Sequence, residues 1–507
     1  MKQSTRRWLW WVGLVGLCLV SVATRLLGLT ADGFWFDELL TAEYAAGGGD
    51  VTLHLPHDQP IVPVPTPTEL GQHPVWAIWT GLDGTVHPPL FYMAARCWAS
   101  VFGATDVGYR SWSLVCSTGS VLLLAWLVRR LHGRRAGLIA GLLLALAAPQ
   151  IYFGHDAKHY PQATLTLLAA GLVASCTAYG WRRSVVLALL LVAAPLTHYF
   201  TVGAAAAIAG WAFGRATGGE RWRLAICGTI AALVGILAWG PQVLRARGDG
   251  FSTSLWVDDY VNLLPQLARQ VGELPLGMLV YTSELPGWVL ALSWGLWIVP
   301  ALACWRGRDS ALALWVVWFP VALLPALLAS LWLNKEVIAY PRYTVFAAPA
   351  LCALVAAGMT RASMTLRPGP RELVRWGVPA AAVLLVSVEL GRPYTRFMAD
   401  HEPIGAYIDA NAKPGDALVI VVEPANPLLH CGLFMSIAHY AGGERFSELW
   451  LMRDRMAEPT AERVWLVKPA ASGPIALDGY ELRRIEGYPP VGSTGLWVRA
   501  TPGRLPE

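Results

Sequence analysis

Long apolar runs recur along the chain and constrain its fold more than any other feature. From Trp8 onward, many of these runs reach about 20 residues, the length that a helix needs to cross the ~30 Å hydrocarbon core of a bilayer. They are continuously apolar and lack the alternation of barrel strands. Only 14% of the 507 residues are charged, against roughly 25% in soluble domains. The sequence predicts an α-helical polytopic membrane protein.

The loops between the runs predict the orientation of the chain. Cytoplasmic loops of membrane proteins are enriched in Lys and Arg, and every second loop here is basic: KQSTRR, RRLHGRR, WRR, RATGGERWR, RGRD and RASMTLRPGPRELVR. We therefore place the N-terminus in the cytoplasm and, with an odd number of spans, the C-terminus outside it, and we expect a bacterial inner membrane. We predict eleven spans: 8–29, 108–129, 135–153, 161–180, 184–199, 201–215, 223–241, 286–304, 310–332, 343–360 and 374–391.

Charge and cysteine usage exclude several classes of protein. The net charge of +5 is small and lies largely in loops, so we expect membrane lipids but no nucleic acid as partners. Most of the eight cysteines fall in apolar runs, where they behave as small hydrophobic residues, and no CxxC spacing is present. In the first outer loop, the spacing of His54, His57, Asp58 and His73 matches no zinc pattern. The first run lacks a cleavage pattern and is interpreted as an uncleaved span.

The segments outside the spans suggest two domains. Residues 1–391 form the predicted transmembrane catalytic domain, including a long first outer loop, 30–107, with a proline-rich stretch and a predicted interfacial helix in HPPLFYMAARCWASVFG. Residues 392–507 have the composition of a soluble domain. There HEPIGAYIDANAKPGD predicts a helix closed by a Pro-Gly turn, and ALVIVV and VWLVKP predict strands. We predict a small extracytoplasmic α/β domain.

Ionisable side chains collect at the outer ends of the predicted spans. Such groups are costly at membrane depth and usually line a cavity or pathway. A carboxylate can act as a general base, and Lys or Arg can hold a phosphate. Both kinds of charge are present, which favours transfer of a group from a phosphorylated lipid. The residues are Asp37, Glu38, His87, His155, Asp156, Lys158, His159, Tyr160, His198, Tyr199, Lys335, Glu336, Tyr340, Arg342 and Tyr343.

Each of these residues also has a purely structural interpretation. Asp37 and Glu38 suit a helix N-terminus, and Asp156 with Lys158 suits a solvated turn. The histidines could be ordinary loop or helix-end residues, and Arg342 could anchor the chain to lipid headgroups. The functional interpretation therefore depends on the combination rather than on any single residue.

The order of the motifs resembles one known family. A first span is followed by FDE, then HPPLFY, then a long segment that ends in GHDAKHYP; PRYTVFAAPALCAL and AYIDANAKPGD come later. This resembles the GT-C membrane glycosyltransferases, specifically the family 39-like group, which includes protein O-mannosyltransferases and lipid A aminoarabinose transferases. The resemblance covers residues 8–200 well. It implies the GT-C fold, with about eleven transmembrane helices.

The resemblance also implies a reaction and roles for residues. The donor would be a polyprenyl-phosphate sugar, the acceptor a hydroxyl of a lipid, glycan or protein at the outer membrane face, and the anomeric carbon would invert. Asp37 matches the presumed base and Asp156 the second acidic position. Lys158 stands where many relatives have Arg, and therefore lacks bidentate geometry. The implied catalytic residues are Asp37, Glu38 and Asp156; the implied substrate-binding residues are His87, Lys158, His159, Tyr160, His198, Lys335, Arg342 and Tyr343.

No cofactor is expected, because a lipid phosphate is already a competent leaving group, although some GT-C relatives with pyrophosphate donors need a divalent metal ion. Two other functions stay open. A transporter or flippase would use the charges as a pathway, but transporters tend to place charges near mid-span and to contain internal repeats. A non-catalytic binding subunit would not need both acids and the HPP motif. The sequence favours the glycosyltransferase.

Overall fold

A computed structural model describes residues 3–82, 87–248, 259–280, 286–307, 309–365, 402–422, 429–454, 457–468, 477, 480–483 and 493–499. The chain divides into two compact units. The helical unit contains Met1–Leu29, Thr85–Phe91 and Arg110–Tyr394, and the mixed unit contains Thr30–Gly84, Tyr92–Tyr109 and Thr395–Glu507. Most of the first outer loop thus falls in the mixed unit, and the predicted division into residues 1–391 and 392–507 stays a prediction.

Helices account for most of the described chain. In chain order they are α1 (Gln3–Leu26), α2 (Phe36–Ala46), α3 (Ala77–Gly81), α4 (Leu90–Phe102), α5 (Asp106–His132), α6 (Arg134–Leu146), α7 (Ala148–Gly154), α8 (Tyr160–Ala174), α9 (Trp181–Ala193), α10 (Val202–Arg215), α11 (Gly219–Gly248), α12 (Leu263–Gly277), α13 (Gly287–Ser293), α14 (Gly295–Gly307), α15 (Ser310–Leu333), α16 (Pro341–Thr344), α17 (Ala348–Thr365), α18 (Glu402–Asn411) and α19 (Leu429–Ile437).

The apolar helices of the helical unit agree with the predicted membrane protein. Among the described residues, six helices are long and apolar enough to cross a membrane, and α6 with α7, bent by 63°, could form a seventh span. Helices α8, α9 and α10 lie at three further predicted spans but have only 13 to 15 residues. The predicted span 374–391 lies outside the described residues. The chain is an integral membrane protein, and the count of eleven spans stays a prediction.

Close packing of helices holds the helical unit together. At Gly203 in α10, a Cβ atom would overlap the backbone carbonyl of Val321 in α15, so a small residue is required for this approach. Helix α15 begins at Asp309, whose carboxylate accepts hydrogen bonds from the first-turn amides. The indole of Trp318 in α15 is fully buried and donates to the carbonyl of Phe346 at 3.0 Å. The buried nitrogen of this indole is thus satisfied within the helical core.

The mixed unit contains a six-stranded sheet with the strand order β1-β3-β2-β4-β6-β5. Central β2 is buried at all six positions and runs parallel to both β3 and β4, as expected for a continuously apolar strand. The other neighbours are antiparallel. The predicted small α/β fold with strands at ALVIVV and VWLVKP is confirmed. The strands are β1 (Pro60–Ile61), β2 (Asp416–Val421), β3 (Phe446–Met452), β4 (Arg463–Lys468), β5 (Tyr480–Arg483) and β6 (Ser493–Arg499).

The proline-rich first loop contributes β1 to this sheet. Pro60 lies opposite Trp450 and Ile61 opposite Leu449, and proline is tolerated on an edge strand. The carboxylate of Asp58 then accepts hydrogen bonds from the amides of Arg453 and Asp454, just beyond β3. The first loop is therefore part of the same folded unit as the C-terminal strands.

Candidate active site

The acidic pair of the FDE motif lies in the first turn of α2, in the mixed unit. The two carboxylates have different environments: Asp37 is partly exposed, whereas Glu38 is fully buried. Glu38 Oε2 accepts a hydrogen bond from the amide of Trp35, the N-cap residue of α2, at 3.4 Å. This is one half of a capping box. The structure thus gives Glu38 a role in beginning the helix and leaves Asp37 as the more accessible acid.

The other end of α2 is held by an arginine that sequence reasoning interpreted only as a sign of an interfacial helix. Arg96, in α4, is buried and donates hydrogen bonds to the carbonyls of Ala45 and Ala46, and to that of His73. A cation at the C-terminus of a helix is stabilised by the helix dipole. A buried arginine in a short apolar run is the signal that could have identified this contact, because it requires polar partners.

In the helical unit, three predicted histidines meet although they are far apart in sequence. His159 lies between the other two: its ring is 5.2 Å from that of His87 and 4.5 Å from that of His198. Tyr160 and Tyr343 lie within 5.4 and 6.3 Å of His198. Helices α8 and α16, together with the turns after α9 and before α4, bring these residues together. We call His87, His159, Tyr160, His198 and Tyr343 the aromatic cluster.

The aromatic cluster contains a buried ring nitrogen, His159 Nε2, that has no hydrogen-bond partner among the described residues. Both His159 and His198 are buried. The Nδ1 atom of His198 accepts a hydrogen bond from the amide of Phe200 at 3.2 Å, so its proton in the neutral state is on Nε2. The Nε2 atom of His159 is buried and has no hydrogen-bond partner in the described part of the chain. Burial lowers the pKa of His159, and neighbouring His198 and His87 lower it further.

Cations lie next to this cluster. Arg342 stacks on the rings of Tyr340 and Tyr343, with its guanidinium carbon 5.0 and 5.1 Å from the ring centres. The positive charges of Lys158 and Arg342 both lower the pKa of His159. Lys158 is buried, in a turn that is closed by a hydrogen bond from its own amide to the carbonyl of Asp156 at 2.7 Å. The predicted donor-binding residues His87, Lys158, His159, Tyr160, His198, Arg342 and Tyr343 therefore share one region of the helical unit.

Two predicted residues have other environments. Asp156 is buried, so the interpretation of its segment as a solvated turn is wrong for this side chain. Lys335 forms an ion pair with Asp259 at 2.6 Å, supported by a β-bridge between the two residues. The structure does not show Lys335 in the aromatic cluster, and its role as a substrate ligand stays a prediction. No sequence pattern indicated Asp259 as the partner of Lys335.

No metal centre is evident in the part of the chain that the structure describes. No three His, Cys, Asp or Glu side chains there are arranged to hold an ion. Of the four first-loop residues considered as ligands, Asp58 binds backbone amides, and His54 Nδ1 contacts the carbonyl of Asp50 at 2.8 Å. The expectation that no metal is needed stays a prediction.

Comparisons with known proteins identify the fold. The family described as dolichyl-phosphate-mannose-protein mannosyltransferase matches residues 86–243. No curated protein sequence matches the chain. The crystal structure of ArnT from Cupriavidus metallidurans in the apo state is 12% identical, with a TM-score of 0.52 and 98% of each chain covered. The same protein bound to undecaprenyl phosphate is 14% identical, with a TM-score of 0.55 over 98% of this chain and 99% of ArnT. The resemblance in fold that the motifs indicated is confirmed: this membrane protein shares the fold of ArnT.

Proposed function

We propose that the chain is an inverting glycosyltransferase that moves a sugar from a polyprenyl-phosphate donor to an acceptor hydroxyl at the outer membrane face. The observation that carries the proposal is the aromatic cluster with Lys158 and Arg342 beside it, in a chain of GT-C fold. The structure of ArnT with undecaprenyl phosphate shows that a protein of this fold binds a lipid phosphate.

The donor phosphate is assigned to the cations of the helical unit. The guanidinium group of Arg342 lies over the rings of Tyr340 and Tyr343, and its N–H groups can donate to two phosphate oxygens. Lys158, buried beside His159, supplies a second positive charge. The leaving phosphate gains negative charge as the glycosidic bond breaks, and fixed cations in a dry environment stabilise that charge.

The sugar is assigned to the aromatic cluster. Sugars present both hydroxyl groups and apolar C–H faces, and closely packed rings with a buried ring nitrogen suit both. The unpaired Nε2 atom of His159 can bond one sugar hydroxyl. The Nε2 proton of His198 can donate to another.

Asp37 is proposed as the general base. The acceptor hydroxyl gives its proton to the carboxylate while its oxygen forms a bond to the anomeric carbon. The bond from that carbon to the phosphate oxygen breaks on the opposite face, and the lipid phosphate leaves with the electron pair. This single displacement inverts the anomeric carbon. Asp37 is suited to the role because its carboxylate is partly exposed, whereas that of Glu38 is buried and bound to the helix start.

The first experiment is Asp37→Asn in proteoliposomes supplied with candidate polyprenyl-phosphate sugars. General-base catalysis contributes roughly 10²- to 10⁴-fold, so transfer should fall by that factor while donor binding is kept. Glu69→Gln, at an exposed acid of the same loop, is the matched control and should transfer normally. A folded Asp37→Asn protein with the wild-type rate would show that the base is another residue.

The donor assignment has its own test. Arg342→Ala should weaken binding of the donor. Arg342→Lys keeps the positive charge but not the bidentate contact, so it should recover only part of the donor affinity. Unchanged donor affinity in both Arg342→Ala and Lys158→Ala would exclude their role at the phosphate. A flippase would move labelled lipid across the bilayer without forming a new glycosidic bond, which mass analysis of the products distinguishes.

A further inference from the structure

The segment that leads into α2 is bound by a tyrosine from the C-terminal part of the mixed unit. The hydroxyl of Tyr440 accepts a hydrogen bond from the amide of Phe34 at 2.7 Å and donates one to Asp106 Oδ2 at 2.7 Å. Burial, followed by the charge of Asp106, raises the pKa of Tyr440, so the phenol keeps the proton that it donates. Phe34 is three residues before Asp37. One hydroxyl thus connects the backbone of the FDE motif to a fixed carboxylate.

The preceding histidine holds the side chain of the same phenylalanine. The ring of His439 stacks on that of Phe34, with centres 5.2 Å apart and planes 19° apart. His439 Nε2 lies 3.1 Å from Asp106 Oδ1. Phe34 is fully buried and also contacts Tyr109 at 5.9 Å. Consecutive residues therefore bind the backbone and the ring of Phe34, and both bond the same carboxylate.

The local backbone is adapted to this contact. His439 and Tyr440 lie in a π-helical turn, Ala438–Gly442, a feature that often occurs at functional sites. A Cβ atom at Gly405 in α18 would lie 2.9 Å from Tyr440 Cβ, and one at Gly33 would overlap the side chain of Glu402. The two glycines allow α18 to approach both the π turn and the FDE motif. The C-terminal residues thus surround the start of α2 on more than one side.

We propose that Tyr440, His439 and Asp106 are positioning residues that set the direction in which α2 begins and hence the orientation of the Asp37 carboxylate. This inference rests on the proposed function, because it assumes that Asp37 is the base. On this proposal the C-terminal domain takes part in catalysis, because its residues Tyr440 and His439 hold the base in place. Catalysis depends steeply on such geometry, since a displacement of about 1 Å can cost about 100-fold in rate.

The test is Tyr440→Phe in the full-length protein, reconstituted in liposomes. The variant removes the hydroxyl and keeps the ring. We expect kcat to fall roughly 10- to 100-fold, with KM for the donor unchanged, because donor-binding residues are untouched. Tyr480→Phe is the matched control: Tyr480 also donates through its hydroxyl within the mixed unit, to the carbonyls of Pro459 and Ala461. It should keep the wild-type kcat.

A double-mutant cycle separates positioning from general stability. If Tyr440 acts through the Asp37 carboxylate, Tyr440→Phe should have little further effect on the residual rate of Asp37→Asn. An equal loss of kcat in both backgrounds, or no loss in either, would overturn the proposal. Wild-type transfer by Asp37→Asn alone would instead refute the proposed base, so the two failures are distinguishable.

A milder variant covers the case in which Tyr440→Phe does not fold. His439→Gln keeps a donor for Asp106 and loses the stacked ring, whereas His439→Ala loses both. We expect kcat to decrease in the order wild type, His439→Gln, His439→Ala, with donor KM constant. Equal kcat in all three proteins would contradict a positioning role for this residue.

Discussion

Replacing Glu43 by glutamine should stabilise the protein at neutral pH and have little effect in acid. Glu43 lies in α2 and is fully buried. Its Oε1 atom accepts hydrogen bonds from the amide and the hydroxyl of Thr52, each at 2.7 Å. Its Oε2 atom is buried with no hydrogen-bond partner in the described residues. A charge on this carboxylate is therefore costly, and a neutral isostere should be tolerated.

The size of the stability change follows from the pKa of Glu43, which is raised from 4.5 to about 8. Burial is the main cause of the rise; the Thr52 hydrogen bonds oppose it and the charge of Asp50 adds to it. Between these values the folded state binds the proton more tightly than the unfolded state. The stability that protonated Glu43 contributes is therefore fully present below pH 4.5 and is lost as pH rises toward 8. Each pH unit between these values costs about 1.4 kcal/mol. At pH 7 the carboxyl is ionised in the unfolded chain but mostly protonated in the folded one, and this difference lowers stability by about 3 kcal/mol relative to acid pH.

The assay is denaturant unfolding of the detergent-solubilised protein at several pH values from 5 to 8. The free-energy difference between Glu43→Gln and wild type should grow by about 1.4 kcal/mol per pH unit across this range. The amide oxygen of Gln can still accept from Thr52, so little should be lost at pH 5. Glu69→Gln replaces an exposed carboxylate of the same loop and should show no such slope. A difference that is constant with pH would refute the reasoning.

Three further predictions concern α2 and the topology. Arg96→Leu should destabilise the mixed unit by about 2 kcal/mol or more, measured by denaturant unfolding, because three carbonyls lose a buried cationic donor; Cys97→Ser, at an exposed neighbour, should have little effect. Gly33→Ala should lower both the melting temperature and the transfer rate, since its Cβ atom would overlap Glu402; a normal rate would contradict the close approach. A cysteine added at the C-terminus of Cys97→Ser should react with an impermeant reagent only from outside the cell, and labelling from the cytoplasm would reverse the orientation.

Features with a local cause could be predicted from the sequence. A continuous apolar run has one stable form in lipid, the helix, because every backbone polar group must be satisfied internally. The strand ALVIVV was recognisable for a similar reason, since buried parallel strands are apolar throughout. The meeting of His87, His159 and His198 could be expected only in outline: alternation of spans places their segments at one membrane face, but ring distances depend on the packing of several helices.

Features that depend on distant partners could not be predicted. The proline-rich loop gave no strand pattern, and Pro60–Ile61 is extended because β3, almost 400 residues later, offers an edge. Lys335 resembled a substrate ligand because its partner, Asp259, is far away in the sequence. Buried charges are the hardest case. Nothing in EYAA indicates that Glu43 loses contact with water, since its burial results from tertiary packing.

The three acids of α2 differ in burial and in hydrogen bonding, and these differences favour Asp37 as the base. Glu38 is buried and bonded to the start of the helix. Glu43 is buried against Thr52, and its raised pKa of about 8 keeps most of it protonated at neutral pH. A general base must be both ionised and within reach of an acceptor, and these two acids lack one or both properties. Asp37 is the partly exposed member of the three, in the first turn of the helix. Its neighbours on α2 serve to hold the helix that presents it, which is why loss of Asp37 should affect chemistry and loss of Glu43 should affect stability.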